Sequence, residues 1–452
     1  MDKVLLVCNY FAPDNTIAAI RVTKFAKYLK QYGLKVDCIT EMKRNLPEDE
    51  LLKKDICGIE TIYASNSAMF LRFEKIFKKC IAPFKEKRFS NLNNRKKINP
   101  RTGHVEFYPY ETAYPVLGSI EYLVGQIRQI DLYRSIKKYL EELDNYEYLI
   151  TSYGDSFSYF VGKYFHRHHK KTVWLFDVRD AVYRYKFTPS YVSLIPKCYE
   201  KFIWKNADGI IGVSKGICRR VPPRNRKKVS CITNGYDWED RKGTNREKIT
   251  CNKLTFAFTG SMYGGLMDLS VLFRAVADLM RKKVFTQGSI EFYFAGNLSA
   301  FEIFQSQAGK YGLSRYCEYR GKLSRQDAMT LQSGADILLC ASYDYQENEG
   351  GVITGKIFEY MTSGCPVIAI ITGDIEKSEL ADIVRKTNIG YAYEVSHHKK
   401  DYEGLKQYLE RQYKEKVQNG RVSYQPNMEE LGRYDYQVLT KQLIKLMTKL
   451  RK

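Results

Sequence analysis

The chain has 452 residues, with 73 Lys and Arg against 51 Asp and Glu, a formal net charge of +22. That length exceeds what a single hydrophobic core organises and suits two domains. Hydrophobic residues at 44% exclude a disordered chain, and with no run of 18 apolar residues a transmembrane helix is excluded too. The eleven cysteines include no Cys-x-x-Cys pair, and Cys8, Cys38 and Cys340 lie inside apolar runs. This points to reduced, buried thiols in a cytosol rather than a disulfide framework. Met1-Asp2-Lys3 precedes only a short apolar run, Val4 to Cys8, which lacks a signal peptide's apolar core. The charge calls for an anionic partner: nucleic acid, a membrane surface or a phosphorylated substrate.

Val4 to Cys8 reads as a buried strand and residues 9–15 as a loop. Ile20 to Gln31 then carries Ile20, Val22, Phe25, Ala26 and Leu29 at helical spacing, Gly33 stops the helix, and Leu34 to Thr40 is a second strand. A β-loop-α-β start implies parallel-sheet α/β architecture, and the absence of Gly-x-Gly-x-x-Gly from its loop counts against a dinucleotide oxidoreductase. The densest charge follows in 69–101, where eleven Lys and Arg face only Glu74 and Glu86, a net of +9. Met69, Phe70, Phe73, Ile76, Phe77, Cys80 and Ile81 recur there at helical spacing, interleaved with Arg72, Lys75, Lys78 and Lys79. Such a helix can lie in the headgroups of an anionic bilayer, or pack on its own domain with a solvated basic face. Nucleic acid ranks lowest, because no helix-turn-helix, zinc-finger or RNP-type pattern accompanies the charge.

Strands are expected at Tyr148 to Thr151, Thr172 to Phe176 and Gly209 to Val213, before a basic loop around Pro222-Pro223. The alternation then restarts. Leu254 to Phe258, Ile290 to Ala295, Cys317 to Tyr319, Ala335 to Cys340 and Pro366 to Ile370 read as strands, with helices from about Asp268, Ser324 and Thr354. A last helix, Tyr434 to Leu450, has one apolar face. The expected architecture is two doubly wound Rossmann-like domains, 1–228 (with 69–101 as a basic amphipathic insertion) and 229–428, facing across a cleft. Residues 429–452 form a helix returning to the first domain. Ligands of such sheets bind beyond the carboxyl ends of the strands.

One segment carries chemistry: the glycine-rich run from Glu349 through Gly350, Gly351 and Gly355 into a helix, directly after a buried strand. Free N–H groups and a helix start make an anion site, and Lys356 in the first turn adds a point charge for phosphate. Glu359, three residues on, could accept two ribose hydroxyls.

The chain here resembles the retaining glycosyltransferases of family 4, which have the GT-B fold, over most of its length. The resemblance rests on Tyr10-Phe-Ala-Pro-Asp14 with Arg21, Asp177-Val-Arg-Asp180, Ala207 to Ser214, Ile232-Thr-Asn-Gly-Tyr-Asp237, Phe258-Thr-Gly-Ser261, and above all Gly355-Lys-Ile-Phe-Glu-Tyr360 with Gly364-Cys-Pro366. The family's Glu-x7-Glu pair is matched at Glu359, while Gly351 stands at its first position with Glu349 two residues earlier. The family's Arg and Lys after the first strand of the second domain are replaced by Ser261 to Gly265. The resemblance implies a nucleotide-diphosphate sugar donor held by Gly260, Ser261, Lys322, Glu349, Gly350, Gly351, Gly355, Lys356 and Glu359, with the base against the loop Arg320 to Ser324. It implies an acceptor held in the first domain, near Asp14, Asn15, Arg21 and Arg179. Lys356, Glu359, Asp155 and Asp180 are the catalytic candidates. Asp177, Arg179 and Asp180 could equally form a structural salt-bridge network at a strand end, and Asp14, Asn15 and Arg21 an N-cap and a solvated helix face.

Charge building on a leaving diphosphate needs preorganised positive potential, which Lys356 can supply without a cofactor. No Asp-x-Asp pair occurs, so no metal is expected. The expectation is a hexosyl- or N-acetylhexosaminyl-transferring enzyme of bacterial capsule or O-antigen synthesis. It would act on a glycan acceptor, expected to be lipid-linked, from the cytoplasmic face of the plasma membrane, with 69–101 on anionic lipid and no nucleic acid partner. Two rivals stay open: a nucleotide-sugar 2-epimerase of the same fold, and a non-catalytic subunit that binds a sugar nucleotide or a glycan.

Overall fold

The computed structural model describes residues 2–43, 46–92, 97–98, 105–106, 115–143, 145–180, 182, 190–242, 249, 252–262, 266–344 and 350–451; in 85–92 and at 97–98, 105–106, 115 and 190 it describes the backbone only. The chain divides into two units. The first holds Met1–Arg95, Pro109–Asn234 and Tyr436–Lys452, and the second Lys96–Tyr108 and Gly235–Asp435.

In chain order the first unit begins β1 (Lys3–Cys8), α1 (Ile17–Gln31), β2 (Lys35–Glu41), α2 (Glu50–Asp55), β3 (Glu60–Ala64) and the long α3 (Ala68–Leu92). An antiparallel hairpin, β4 (Lys97–Ile98) with β5 (Val105–Glu106), groups with the second unit. The first then resumes with α4 (Pro115–Glu142), β6 (Tyr148–Tyr153), α5 (Ser156–His168), β7 (Val173–Val178), α6 (Leu194–Asn206), β8 (Gly209–Gly212), α7 (Lys215–Arg219) and β9 (Val229–Cys231). Its seven strands are all parallel, in the order β3-β2-β1-β6-β7-β8-β9. Because side chains alternate across a strand, Val4, Leu6 and Cys8 enter one core and Leu5 and Val7 the other. With both faces covered the strand must be apolar throughout, which is why Val4 to Cys8 was legible as a buried strand.

The second unit has β10 (Leu254–Thr259), α8 (Ser270–Arg281), β11 (Ile290–Ala295), α9 (Leu298–Gly309), β12 (Cys317–Tyr319), α10 (Arg325–Gly334), β13 (Ile337–Asp344), α11 (Lys356–Tyr360), β14 (Val367–Gly373), α12 (Glu379–Thr387), β15 (Gly390–Glu394), α13 (His398–Asn419) and α14 (Met428–Gly432). Its six parallel strands run β12-β11-β10-β13-β14-β15. On one face Phe256 stacks on Phe292 at 4.8 Å and Phe258 on Phe294 at 5.2 Å, and α8 buries Val271, Leu272, Ala275, Val276 and Leu279 against the same core. The last helix, α15 (Tyr436–Arg451), packs on the first unit: Tyr436, Leu439, Leu443 and Met447 are buried, with the Tyr436 ring edge-on to Phe25 at 5.6 Å.

Two charges lie under the second sheet. Lys416 of α13 reaches Asp336 at 3.0 Å with both side chains buried, and the other Asp336 oxygen accepts from the Thr255 N–H and hydroxyl, each at 3.0 Å. Lys416→Met takes the ammonium away from a buried carboxylate and should lower stability by about 3–5 kcal/mol. The urea midpoint of the transition reporting on the second unit checks this.

Candidate functional site

In each unit the strand order reverses once: between β1 and β6 in the first, and between β10 and β13 in the second. Connections leave in opposite directions at such a point, so a crevice opens beyond the carboxyl ends of those two strands. Lys356 lies near the end of β10 in the second unit, and Asn9 and Gly154 meet past β1 and β6 in the first.

In the second unit Lys356 Nζ stands 3.5 Å from Glu359 Oε1. The same oxygen accepts a short hydrogen bond from Gln332 Nε2. Gln332 is fully buried; its amide also donates to Thr259 Oγ1 at 2.9 Å, and its oxygen accepts from Arg241 at 2.6 Å. Arg241, itself buried, donates further to the Glu359 carbonyl at 3.1 Å, Thr362 Oγ1 at 3.0 Å and the Met329 carbonyl at 2.7 Å. Burial alone would raise the Glu359 carboxyl; Lys356, then Arg325, the Gln332 amide and Arg241 outweigh it and bring it down to about 2. Arg325, the first residue of α10, is meanwhile salt-bridged to Asp240 at 2.7 Å. Glu359 is therefore a fixed anion and hydrogen-bond acceptor beside a half-buried lysine.

Gly260 ends β10 at φ +126°, and a Cβ there would lie 3.1 Å from Lys356 Cε. Gly296 ends β11 so close by that a Cβ would come within 2.2 Å of the Gly260 carbonyl. Glycine at both positions lets the backbone pass under the Lys356 stem. Ser261, past the end of β10, and Lys322, past the end of β12, are exposed. Two expectations need correction. The helix after the glycine-rich run is only Lys356–Tyr360, five residues with Gly355 as its cap, so its dipole is weak and the anion site rests on the Lys356 ammonium. The Gly351 N–H is also not free: it donates to Asp344 Oδ2 at 3.3 Å, and both residues are buried, as is Gly350. Glu349 lies outside the described residues.

In the first unit Asn9 follows β1 and sits against Gly154, which follows β6; a Gly154 Cβ would lie 3.9 Å from Asn9 Oδ1. Asn9 donates to Glu41 Oε2 at 3.3 Å and Gln129 Oε1 at 3.1 Å, while its Oδ1 is buried with no hydrogen-bond partner among the described residues. Glu41 carries Lys43 at 2.5 Å and a short bond from Arg128 of α4. Asp155 caps α5 through the Ser156 N–H at 2.7 Å. Burial raises its carboxyl above the ordinary value, Glu41 adding to this against the Ser156 N–H, Arg128 and Lys43. Burial likewise pushes Asp14 up to about 6, Glu41 adding to this while Lys43 and the Phe11 backbone oppose it. Asn15 is partly buried, its N–H bonded to the Pro47 carbonyl at 2.9 Å, and Thr16 rather than either neighbour caps α1.

Arg21 is neither an acceptor ligand nor on a solvated face. It is 1% exposed and spent on Asp177 at 2.8 Å, the Thr233 carbonyl at 2.6 Å and the Ile232 carbonyl at 2.9 Å, with Ser152 bonding the same Asp177 at 2.8 Å. Buried ion pairing across α1, β7 and the segment after β9 uses up its donors. Arg179 is half-buried and Asp180 exposed just past β7.

Residues 253–399 match the family Glycosyl transferases group 1. The whole chain also superposes on solved structures. Sucrose-phosphate synthase from Thermosynechococcus elongatus matches at TM-score 0.57 and 15% identity over 100% of this chain and 99% of that one. The lipopolysaccharide outer core galactosyltransferase WaaB matches at 0.57 and 13% over 99% of each. S. aureus TarM in complex with fondaparinux, α-GlcNAc-glycerol and UDP matches at 0.55 and 13% over 99% and 100%. No curated protein matches the sequence. The matched segment and the fold support a GT-B glycosyltransferase. The matched segment contains Glu359 and its whole ring of partners except Arg241.

The sequence named Lys356 and Glu359 as candidates; the structure adds Gln332, Arg241 and Arg325 around them, and Asn9, Glu41 and Arg128 in the first unit. Gln332-Ser333-Gly334 gave no signal, because a polar stretch reads as surface and only the folded chain buries it. Glu359 has a folded-state value below its unfolded one, so its stabilisation is full above about 4.5 and lost as pH falls through about 2. Wild type should therefore lose about 3 kcal/mol across that window that Glu359→Gln does not lose. Urea midpoints of both proteins between these pH values measure the difference.

Proposed function

We propose that the protein is a retaining glycosyltransferase that moves a hexosyl or N-acetylhexosaminyl group from a nucleotide-diphosphate sugar to a lipid-linked glycan acceptor in bacterial capsule or O-antigen synthesis. The observation that carries this reading is the Lys356–Glu359 pair at the second unit's strand reversal, within the segment matching Glycosyl transferases group 1. As the anomeric C–O bond breaks, its electron pair goes to the diphosphate, and an ammonium fixed beside that oxygen lowers the barrier. Lys356 is the residue we assign to this role, and on that reading no metal is needed. Glu359, ionised at any physiological pH, is a two-oxygen acceptor for ribose hydroxyls. The acceptor hydroxyl takes the anomeric carbon and gives up its proton. In the first unit Asn9 Oδ1 offers a buried acceptor for such a hydroxyl, and Asp155, its carboxyl raised, is the candidate for the proton. The protein works on the cytoplasmic face of the plasma membrane.

Incubation with a panel of nucleotide sugars tests the reading. One donor should be hydrolysed slowly alone and faster with acceptor, unchanged by a chelator. Lys356→Ala should lower that rate about a hundredfold. Glu359→Ala should raise the donor KM at least tenfold, with the unfolding midpoint recorded to separate site from stability. Release of a free 2-epimer would establish the epimerase instead, and binding without turnover of any donor would establish the non-catalytic subunit.

A further inference from the structure

On α3, Met69, Phe73, Ile76, Cys80 and Phe84 follow one another at steps of four, three, four and four, which places them on one stripe of the helix. All five are exposed, Met69 at 80%, Ile76 at 63% and Phe84 at 57%. The helix spends a different face on its own unit: Phe70 and Ile81 are buried, and Phe73 stacks on Phe77 at 6.1 Å between the two faces. Exposed Arg72, Lys75 and Lys79 run along the opposite edge of the stripe, while Lys78 is taken by Glu74 at 3.1 Å. The N-terminus of α3 is fixed to α4, where Asp131 accepts from the Ser67 N–H at 2.8 Å and its hydroxyl at 2.9 Å.

α4 repeats the pattern. Val116, Ile120, Leu123 and Ile127 step by four, three and four, and all are exposed, Val116 at 64% and Ile127 at 50%. Other positions of α4 enter the first unit's crevice: Arg128 bonds Glu41, Gln129 bonds Asn9, and Gln126 accepts from Ser156 Oγ at 2.9 Å. One helix thus joins an exposed apolar stripe to the polar pocket read as the acceptor site.

We infer that α3 and α4 dock the protein on an anionic lipid bilayer, both stripes entering the headgroup boundary while Arg72, Lys75 and Lys79 hold lipid phosphates. The proposal deepens the lipid-linked reading of the acceptor and rests on it only for what the membrane delivers. The charge decides the occupant. A second copy seated stripe to stripe would bring one basic edge against another, and the described side chains of α3 include no acid but the engaged Glu74 to relieve it. An anionic surface attracts the same edge. No described helix is long and apolar enough to cross the bilayer, so the contact lies on the surface.

Flotation of the full chain with vesicles tests this. It should bind phosphatidylcholine vesicles containing phosphatidylglycerol at least tenfold better than phosphatidylcholine alone, and raising salt should weaken binding at least tenfold. The double variants Phe73→Asp/Ile76→Asp and Ile120→Asp/Ile127→Asp should each cut binding at least tenfold, with donor hydrolysis and the unfolding midpoint unchanged. Lys75→Glu/Lys79→Glu should remove the preference for the anionic lipid. Binding that ignores lipid charge, binding that survives the stripe variants, or a dimer in sedimentation that those variants dissociate would each overturn the proposal. Vesicle binding without hydrolysis of any donor would leave this surface standing and remove the transferase reading; hydrolysis without vesicle binding would do the reverse.

Discussion

The carboxylate of Glu359 is the charge around which the strand-end loops of the second unit are arranged. An ionised carboxylate taken out of water is costly unless its oxygens are bonded and a cation stands near. Here the compensation comes from four places in the chain: Lys356 one turn before it, Gln332 in α10, Arg325 at the start of that helix, and Arg241 before β10. None could be removed without leaving another buried polar group unmatched. Arg241 alone ties Thr362, Met329, Gln332 and the Glu359 backbone to one guanidinium. The charge of Glu359 is thus compensated within the folded chain itself.

The first unit meets the same constraint with another pair. Arg21 and Asp177 are both buried, and the guanidinium takes its remaining acceptors from carbonyls of Ile232 and Thr233. Arg21, expected as a ligand, instead fastens α1 to β7 and to the segment after β9. The residues left open around them differ in kind: Asn9, Asp14 and Asp155 keep either an unused oxygen or a carboxyl raised by burial. Framework charges are paired and satisfied, whereas the Asp14 and Asp155 carboxyls are raised by burial.

Much of the architecture was legible in one dimension. Strands buried on both faces are continuous apolar runs, and helices on a sheet carry apolar residues every third or fourth position, so Val4 to Cys8, Ile290 to Ala295 and the α15 face could be read directly. Less regular elements could not. β3, Glu60–Ala64, lies at a sheet edge and is only partly buried, and α4 mixes exposed apolar with buried polar positions, such as Ser119 and Gln129, so neither shows a clean period. The helix at Lys356 read longer than it is, because Met361 to Ser363 bury against the core without continuing it.

By itself the sequence determined the two α/β repeats, the concentration of charge on α3, and the local spacing that puts Lys356 and Glu359 on one turn. Those properties are set by neighbours within a few residues. Only the tertiary structure decided that Glu359 is ionised and held, that Arg21 is structural, and that Asn9 is left with an unused oxygen. Each of these depends on partners 27 to more than 200 positions away, such as Glu359 to Gln332 or Arg21 to Thr233. Burial and pairing at that range are properties of the packed chain, because desolvation acts only once distant segments have closed over the group.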